Sequence, residues 1–415
     1  MIRKPRSAQS EGRGHSKAVT APIAVAIGFS MVAAACSSGS ASTQKAATTK
    51  EAPIRVMATT TLSGTGLVYP DNGYGVTAAA AYVNAHGGID GHPLSVQICD
   101  DLGSPNQARS CAEQAVANKD VAVLGPDDTQ TPTVIPILQA ANIPFVGDIE
   151  QTKSDATSPV SFPVAPGPLT LNGGAPVAAK AAGCKEIGSA VVDFPQIGTG
   201  IEASVEQGAK YARIKLLKQF LVPPTQTDLI PVVSEIGQQG TTCVAASFAE
   251  SQDVAFLAAN YQEGNPLKPF LAGVVLPSLT SLGITAVGSY IYSGSSIPSD
   301  PQMKTVVQDI TKYGNVSADK VSSGTLQSWA DVLILTDALK NIKSGSYTAT
   351  NVLTAMNSLS NVLTDGILPP YTSKGLTSAE RLPTSSNVIK TYKVTAVGKT
   401  TNLTGFIPLP PLPRY

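Results

Sequence analysis

Two adjacent carboxylates stand at the end of an apolar run in VAVLGPDDTQTP, residues 121–132. Residues 121–124 read as a strand that Gly125-Pro126 stops, and Asp127, Asp128, Thr129 and Gln130 follow with side chains that hydrogen-bond. A strand that ends this way builds either a binding loop or a solvated turn. Asp100-Asp101 poses the same choice between a cation site and a solvated turn or helix cap. A Ser/His/Asp hydrolase needs a histidine in its cleft. Only His15, His86 and His92 exist, and the last two flank a Gly87-Gly88 turn, which reads as surface. Gly64-x-Gly66 after a strand hints at a dinucleotide loop, but the third glycine of that motif falls on Tyr69. No catalytic residue, cofactor or metal is therefore assigned, and the chain is expected not to be an enzyme. There is no CxxC pair, and the histidines do not cluster with the cysteines.

The elements that would position these residues alternate. IRVMATT (54–60) is strand-like, GYGVTAAAAYVNAHGG a helix with glycines to cap it, and LSVQICD (94–100) a strand. SPNQARSCAEQAVAN starts with Ser104 as cap and Pro105 in the first turn. VAVLG, TPTVIPILQAAN and IPFVG continue the alternation as strand, helix and strand. The pattern restarts with strands EIGSAVVDF (186–194), IKLLKQFLV (214–222), CVAASF (243–248) and PFLAGVVL (269–276), separated by helices. A third portion follows: strand AVGSYIYSG, helices DPQMKTVVQDITKYG, GTLQSWADVLILTDALKNI and TATNVLTAMNSL, and late strands VIKTYKVTAV and LTGFIPL. The expected fold class is α/β, with two doubly wound parallel-sheet lobes that the third portion completes.

With 415 residues, 42% of them hydrophobic, the chain is long enough for two cores. Lys+Arg and Asp+Glu both total 29, and aromatics make up 5%, so nothing points to nucleic acid. A basic leader with Arg3, Lys4, Arg6, Arg13 and Lys17 precedes an uncharged stretch at 18–32, too short for a confident membrane span. It ends in VAAACSSGS, which resembles a bacterial lipobox, with Cys36 the lipidated residue; an ordinary secretory cleavage after Ala35 is the alternative. Residues 1–35 are then a signal peptide and the polar residues 36–52 a tether. The expected location is extracytoplasmic, lipid-anchored to the cell membrane. Export favours disulfides among the four remaining cysteines. Sequence alone allows three pairings. A strand order 2-1-3 sets strands one and three side by side and favours Cys184–Cys243, and Cys99–Cys111 joins a strand end to the helix packed on it.

LSGTGLVYP, AAAAYVNAHGGIDGHPLSVQICDD, SPNQARSCAEQAV and VLGP together resemble the type I periplasmic-binding-protein fold, and more narrowly the branched-chain amino acid (Leu/Ile/Val) binding proteins of ABC importers. The resemblance implies two lobes, 53–162 plus about 292–366 and 163–291 plus about 367–407, with a Pro-rich tail at 408–415. It implies crossovers near 161–166, 291–298 and 365–370 and a ligand in the cleft between the lobes. It also implies an ABC permease in the membrane as partner, a small-molecule ligand and a monomer; an extracellular sensor module of the same fold is the alternative. Carried over by position, the ligand contacts are Ser63, Tyr69, Asp127, Asp128, Thr129, Asp148 and Ile149 from lobe one. Phe194, Gln196 and Glu250 come from lobe two, and Trp329 from a helix near the cleft. Glu250 also reads as helix N-terminal charge, and Trp329 as core. Asp127 and Asp128 replace hydroxyl residues that hold a ligand carboxylate in the family, and Ile197 replaces a tyrosine. A carboxylate beside two like charges is disfavoured, so fold and transport role carry over better than amino acid specificity.

Overall fold

A central strand of the first sheet is buried, as a parallel sheet covered by helices requires; in β1 (Ile54–Thr60) every residue but Arg55 is buried. The computed structural model describes residues 51–64, 68–147, 149–193, 198–248, 250–272, 279–342, 346–377 and 381–409. Cys36, the leader, Asp148, Phe194, Gln196, Ile197 and the end of the Pro-rich tail lie outside the described residues. The first sheet orders its parallel strands β2-β1-β3-β4-β5, with β2 (Leu94–Asp100), β3 (Val123–Leu124), β4 (Phe145–Val146) and β5 (Ser161–Phe162). VAVLG and IPFVG contribute only two strand residues each. Just before β3, the Val121 amide still donates to Arg55 O, and Ala122 O accepts from the Met57 amide.

The second sheet runs β12-β11-β10-β9-β8-β6-β7. It contains β6 (Glu186–Val192), β7 (Lys215–Val222), β8 (Cys243–Ser247), β9 (Lys268–Ala272), β10 (Tyr290–Ser293), β11 (Val388–Ala396) and β12 (Lys399–Asn402). The short β13 (Ile407–Pro408) pairs with β11. Strands β6–β10 are parallel, whereas β11 is antiparallel to β10 and to β12. The 2-1-3 order expected from the sequence thus occurs in both sheets, as β2-β1-β3 and β7-β6-β8.

Helices cover both faces of each sheet. On the first, α1 (Pro70–Ala85) lies on one side, and α2 (Pro105–Asn118) and α3 (Thr131–Ala140) on the other; α4 (Lys153–Thr157) precedes β5. Ser104 holds the N-cap position of α2 without a side-chain hydrogen bond. On the second sheet, α5 (Pro168–Gly173), α6 (Ala175–Ala181) and α7 (Gly198–Ala212) cover one face. Helices α8 (Ile230–Gln238) and α9 (Glu250–Gln262) cover the other, and α10 (Leu279–Leu282) follows β9. The third portion then divides. Its helices α11 (Lys304–Gly314), α12 (Ser323–Lys340) and α13 (Ala349–Met356) join the core of the first sheet through Ile310, Leu335 and Val352. Its strands β11–β13 join the second sheet.

The chain therefore passes between the two cores three times, and the first two passing segments pack on each other and on loops of the first core. The Ser296 amide donates to Ile367 O at 2.7 Å, and its hydroxyl to Gly366 O at 2.9 Å. The Gly167 amide donates to Glu150 Oε2 at 2.5 Å. Gly294 packs so closely on Pro166 that a methyl group there would overlap the proline ring. Two disulfides brace the lobes: Cys99–Cys111 joins the end of β2 to α2, and Cys184–Cys243 joins the approach to β6 to the start of β8, with Cα separations of 5.9 and 6.4 Å. Among the described residues, no helix is long and apolar enough to cross a membrane.

Candidate functional site

In open α/β sheets, loops at the carboxyl ends of the strands build the binding crevice. In the first sheet the loops after β1 and β3 are knitted together there. The Thr60 hydroxyl donates to Pro126 O at 2.9 Å, and Asn72 Nδ2 donates to the same carbonyl at 3.0 Å and to Asp127 Oδ2 at 3.1 Å. Asn72 sits in the first turn of α1, so the helix N-terminus and the β3 loop are fixed to each other. Gly125 has to be glycine, because a methyl group would overlap the ring of Phe145, the first residue of β4. Asp127 takes a left-handed conformation, φ 52°.

That turn sends the two adjacent carboxylates to different surroundings. Both are buried, Asp127 3% and Asp128 0% exposed, which removes the solvated-turn reading. Asp127 accepts from Asn72 and lies within electrostatic reach of Tyr69, Asp71 and Asp331. Asp128 faces Asp101 and Asp155 and accepts from the Gln130 amide at 2.6 Å. Burial pushes the Asp127 carboxyl up to about 6, with Asn72 opposing and Asp71 adding. Burial pushes Asp128 up to about 8; the Asp101 carboxylate adds to this and the Gln130 amide opposes it. Burial, then the Asp127 and Asp71 carboxylates, raise the Tyr69 phenol above its ordinary range. Thr129 is half-buried, and its hydroxyl accepts from Gln130 Nε2 at 3.0 Å.

A third carboxylate joins Asp127 from a helix distant in sequence. The Ser322 hydroxyl caps α12, accepting from the Thr325 amide at 3.0 Å, and also bonds the Asp71 carboxylate of α1. Gly75 lets the two helices meet, since a methyl there would overlap Thr325 O. On the same face of α12, one turn apart, lie Gln327 and Asp331. Gln327 Nε2 donates to Ser295 Oγ at 2.9 Å, in the segment that leaves the second sheet. Asp331 is 0% exposed and packs over Gly147, where a methyl would overlap its carboxyl group. Neither Asp331 oxygen has a hydrogen-bond partner. Burial, then Asp127, push it well above the ordinary carboxylate range. The sequence did signal Asp331: it is the lone carboxylate inside the apolar run WADVLIL, a position that patterning alone assigns to helix core.

A family model described as "Periplasmic binding protein" matches residues 53–381. The chain belongs to the periplasmic binding protein family. Among curated proteins no sequence match was found. Solved structures of the same fold include an ABC-transporter solute-binding protein from R. palustris in complex with 4-hydroxybenzoate, 17% identical, TM-score 0.68, covering 87% of this chain and 98% of that one. A leucine-, isoleucine-, valine-, threonine- and alanine-binding protein from Brucella ovis in a closed conformation is 16% identical, with TM-score 0.70 and coverage of 86% and 94%. A branched-chain amino acid ABC transporter protein from Thermus thermophilus with bound valine is 15% identical, with TM-score 0.70 and coverage of 86% and 97%. The family and the two-lobed α/β fold expected from the sequence are thus met.

On this periplasmic-binding-protein framework the expected site residues separate. Tyr69, Asp127 and Thr129 stand together at the carboxyl end of the first sheet. Ser63 is exposed at the rim; its hydroxyl donates to Asp100 Oδ2 at 2.6 Å. Burial raises the Asp100 carboxyl, but that bond and the Leu102, Leu62 and Ser63 amides outweigh it and hold the group below its ordinary value. Asp101 is buried and accepts from the Thr61 hydroxyl at 2.6 Å and the Gly103 amide at 2.8 Å, so the Asp100-Asp101 pair braces a turn. Ile149 is buried and bridges to Ala165 at the first crossover. Trp329 is 1% exposed and packs on Tyr82 of α1, ring centroids 5.1 Å apart, within the core of the first sheet. Glu250 opens α9. In the second sheet, the Tyr292 hydroxyl donates to Asn172 Oδ1 at 3.1 Å, and burial, then Asp253, raise that phenol.

Proposed function

We propose that this chain is the extracytoplasmic solute-binding lipoprotein of an ABC importer. It captures a small polar or amino-acid-like ligand between its two lobes by hinge closure and presents the closed form to a membrane permease. The observation that carries this reading is the set of three chain passages between two separately packed cores. Segments that bend while the cores stay rigid give hinge motion, and closure around a ligand is the general behaviour of periplasmic binding proteins. Ligand favours the closed state because both lobes reach it only there. The family membership and the transporter proteins among the structural relatives support the role. The lipobox-like VAAACSSGS and its polar tether support anchoring through Cys36.

In this reading Tyr69, Asp127 and Thr129 form the lobe-one half of the site, with Ser63 at its rim, and Ile149 and Trp329 serve packing. By sequence position alone, Asp148 is assigned to the ligand from lobe one and Phe194, Gln196 and Glu250 from lobe two. Asp128 supports the loop from within. The test is a thermal-shift screen of amino acids, amides, polyamines, aromatic acids and short peptides, followed by small-angle scattering with each hit. A ligand at 100 times its Kd raises stability by about 2.7 kcal/mol, and closure reduces the radius of gyration. A chain that no member of the panel stabilises, or one that binds without becoming more compact, contradicts the proposal.

A further inference from the structure

We propose that the site takes a small organic cation, an amine or ammonium compound lacking a carboxylate, whose charged nitrogen is held by Asp127 and Asp331. This rests on the solute-binding reading and names the class of its ligand.

Three observations converge. Asp331 is wholly buried in the middle of α12 with both oxygens unpartnered, and Asp127 Oδ1 beside it is also buried and unpartnered. A buried carboxylate without partners is costly unless a proton or a cation completes it. Burial raises the Asp331 carboxyl first and the Asp127 carboxylate adds to it, and no cationic side chain among the described residues offsets them. Arg381, the buried cation near Tyr371, directs its guanidinium to Ser161 O and Asn357 Oδ1 and stacks on Phe162 instead.

The second observation is the charge of the sheet ends. Of the loops that leave the carboxyl ends of β1 to β10, those after β2, β3, β4, β6, β7 and β10 each contain at least one Asp or Glu. None of the ten contains a Lys, Arg or His. Several bases sit at the opposite ends of the strands, as with Arg55, Lys119, Lys185, Lys215 and Lys268, while Lys390 reaches Asp300 after β10 and Lys153 opens α4. The strand-end loops of a chain with zero formal net charge are thus biased towards acid. Carboxylates near helix N-termini explain part of this bias through the helix dipole. They do not explain Asp331, which is far from either end of its helix.

Third, Tyr69 is a half-buried aromatic beside Asp127, and aromatic faces attract organic cations. A divalent metal is the poorer occupant: among the described residues, no group of three or more His, Cys, Asp or Glu is arranged to hold one.

Calorimetric titration of the full chain with putrescine, agmatine and choline, beside leucine, valine, benzoate and 4-hydroxybenzoate, tests the inference. At least one cation is expected to bind. Its affinity should rise with pH between 6 and 8, because it displaces protons from the two carboxyls, and its heat should depend on the ionisation enthalpy of the buffer. Asp127→Asn and Asp331→Asn, near-isosteric and charge-free, should each weaken that cation at least tenfold. Should a variant fail to fold, the buffer dependence of the wild type still decides. Binding of leucine, valine or a benzoate with no cation bound overturns the cation class and leaves the solute-binding reading standing. Cation binding that releases no proton and is unchanged in both variants overturns the role of Asp127 and Asp331. If the wider thermal-shift screen also finds no ligand, both the inference and the solute-binding reading fall.

Discussion

The carboxyl of Asp128 accepts a hydrogen bond from the Gln130 amide and lies within electrostatic reach of Asp101 and Asp155 in the buried interior. Its folded-state value near 8 and that of Asp127 near 6 both stand above the unfolded value of about 3.9. The folded protein therefore binds more protons than the unfolded one as pH rises from about 4 to 8, so stability falls across that window. The stabilising contribution is fully present below the unfolded value and is lost through the folded ones. Each proton held only in the folded state gives a slope of about 1.4 kcal/mol per pH unit. Urea unfolding at pH 5, 6.5 and 8 should show this decline, and Asp128→Asn should flatten it, stabilising the protein less at pH 5 than at pH 8. A wild-type stability that rises from pH 5 to 8 contradicts the assignment. The sequence displayed the two adjacent acids and the glycine-proline stop before them. It could not display that a left-handed Asp127 sends the two carboxyls apart, because backbone handedness at one residue depends on what its neighbours pack against.

At the scale of elements, the alternation of strands and helices was legible because parallel strands buried on both faces leave apolar runs between helix caps. Strand lengths were less so: β3 and β4 shrink to two residues, and LTGFIPL yields only β13. The cysteines were readable through topology, since the 2-1-3 order brings the start of β8 beside the approach to β6. The two disulfides then differ in the loop they close. Cys99–Cys111 are 12 residues apart and Cys184–Cys243 are 59 apart. Loop-closure entropy makes the first worth about 3 kcal/mol and the second about 4 kcal/mol. Replacing each pair by alanine and measuring denaturant midpoints should rank Cys184–Cys243 as the larger loss. The reverse order would show that residual structure in the unfolded chain outweighs loop length.

For the whole molecule, the decisive feature is that the third portion is shared between two cores, its helices joining the first and its strands the second. The seam where it is shared is held by a buried ion pair. Lys390 of β11 lies 2.5 Å from Asp300, in the segment that leaves the second sheet for α11. Tyr392 and Asn402 also donate to Asp300, at 3.3 and 3.4 Å. Burial raises the Asp300 carboxyl, but Lys390 and the Gln302 amide outweigh it and hold the group below its ordinary value. Lys390→Met removes one partner and leaves a buried charge uncompensated, a change that costs about 3–5 kcal/mol. Adding Asp300→Asn removes the orphan charge and should recover most of that loss, since the hydroxyl of Tyr392 and the amide of Asn402 can still bond an amide side chain. Both variants leave Asp127, Asp331 and Tyr69 untouched. A double variant no more stable than the single one would mean that the pair is needed for the seam itself, and then scattering should show the two lobes no longer closing on a ligand that still binds.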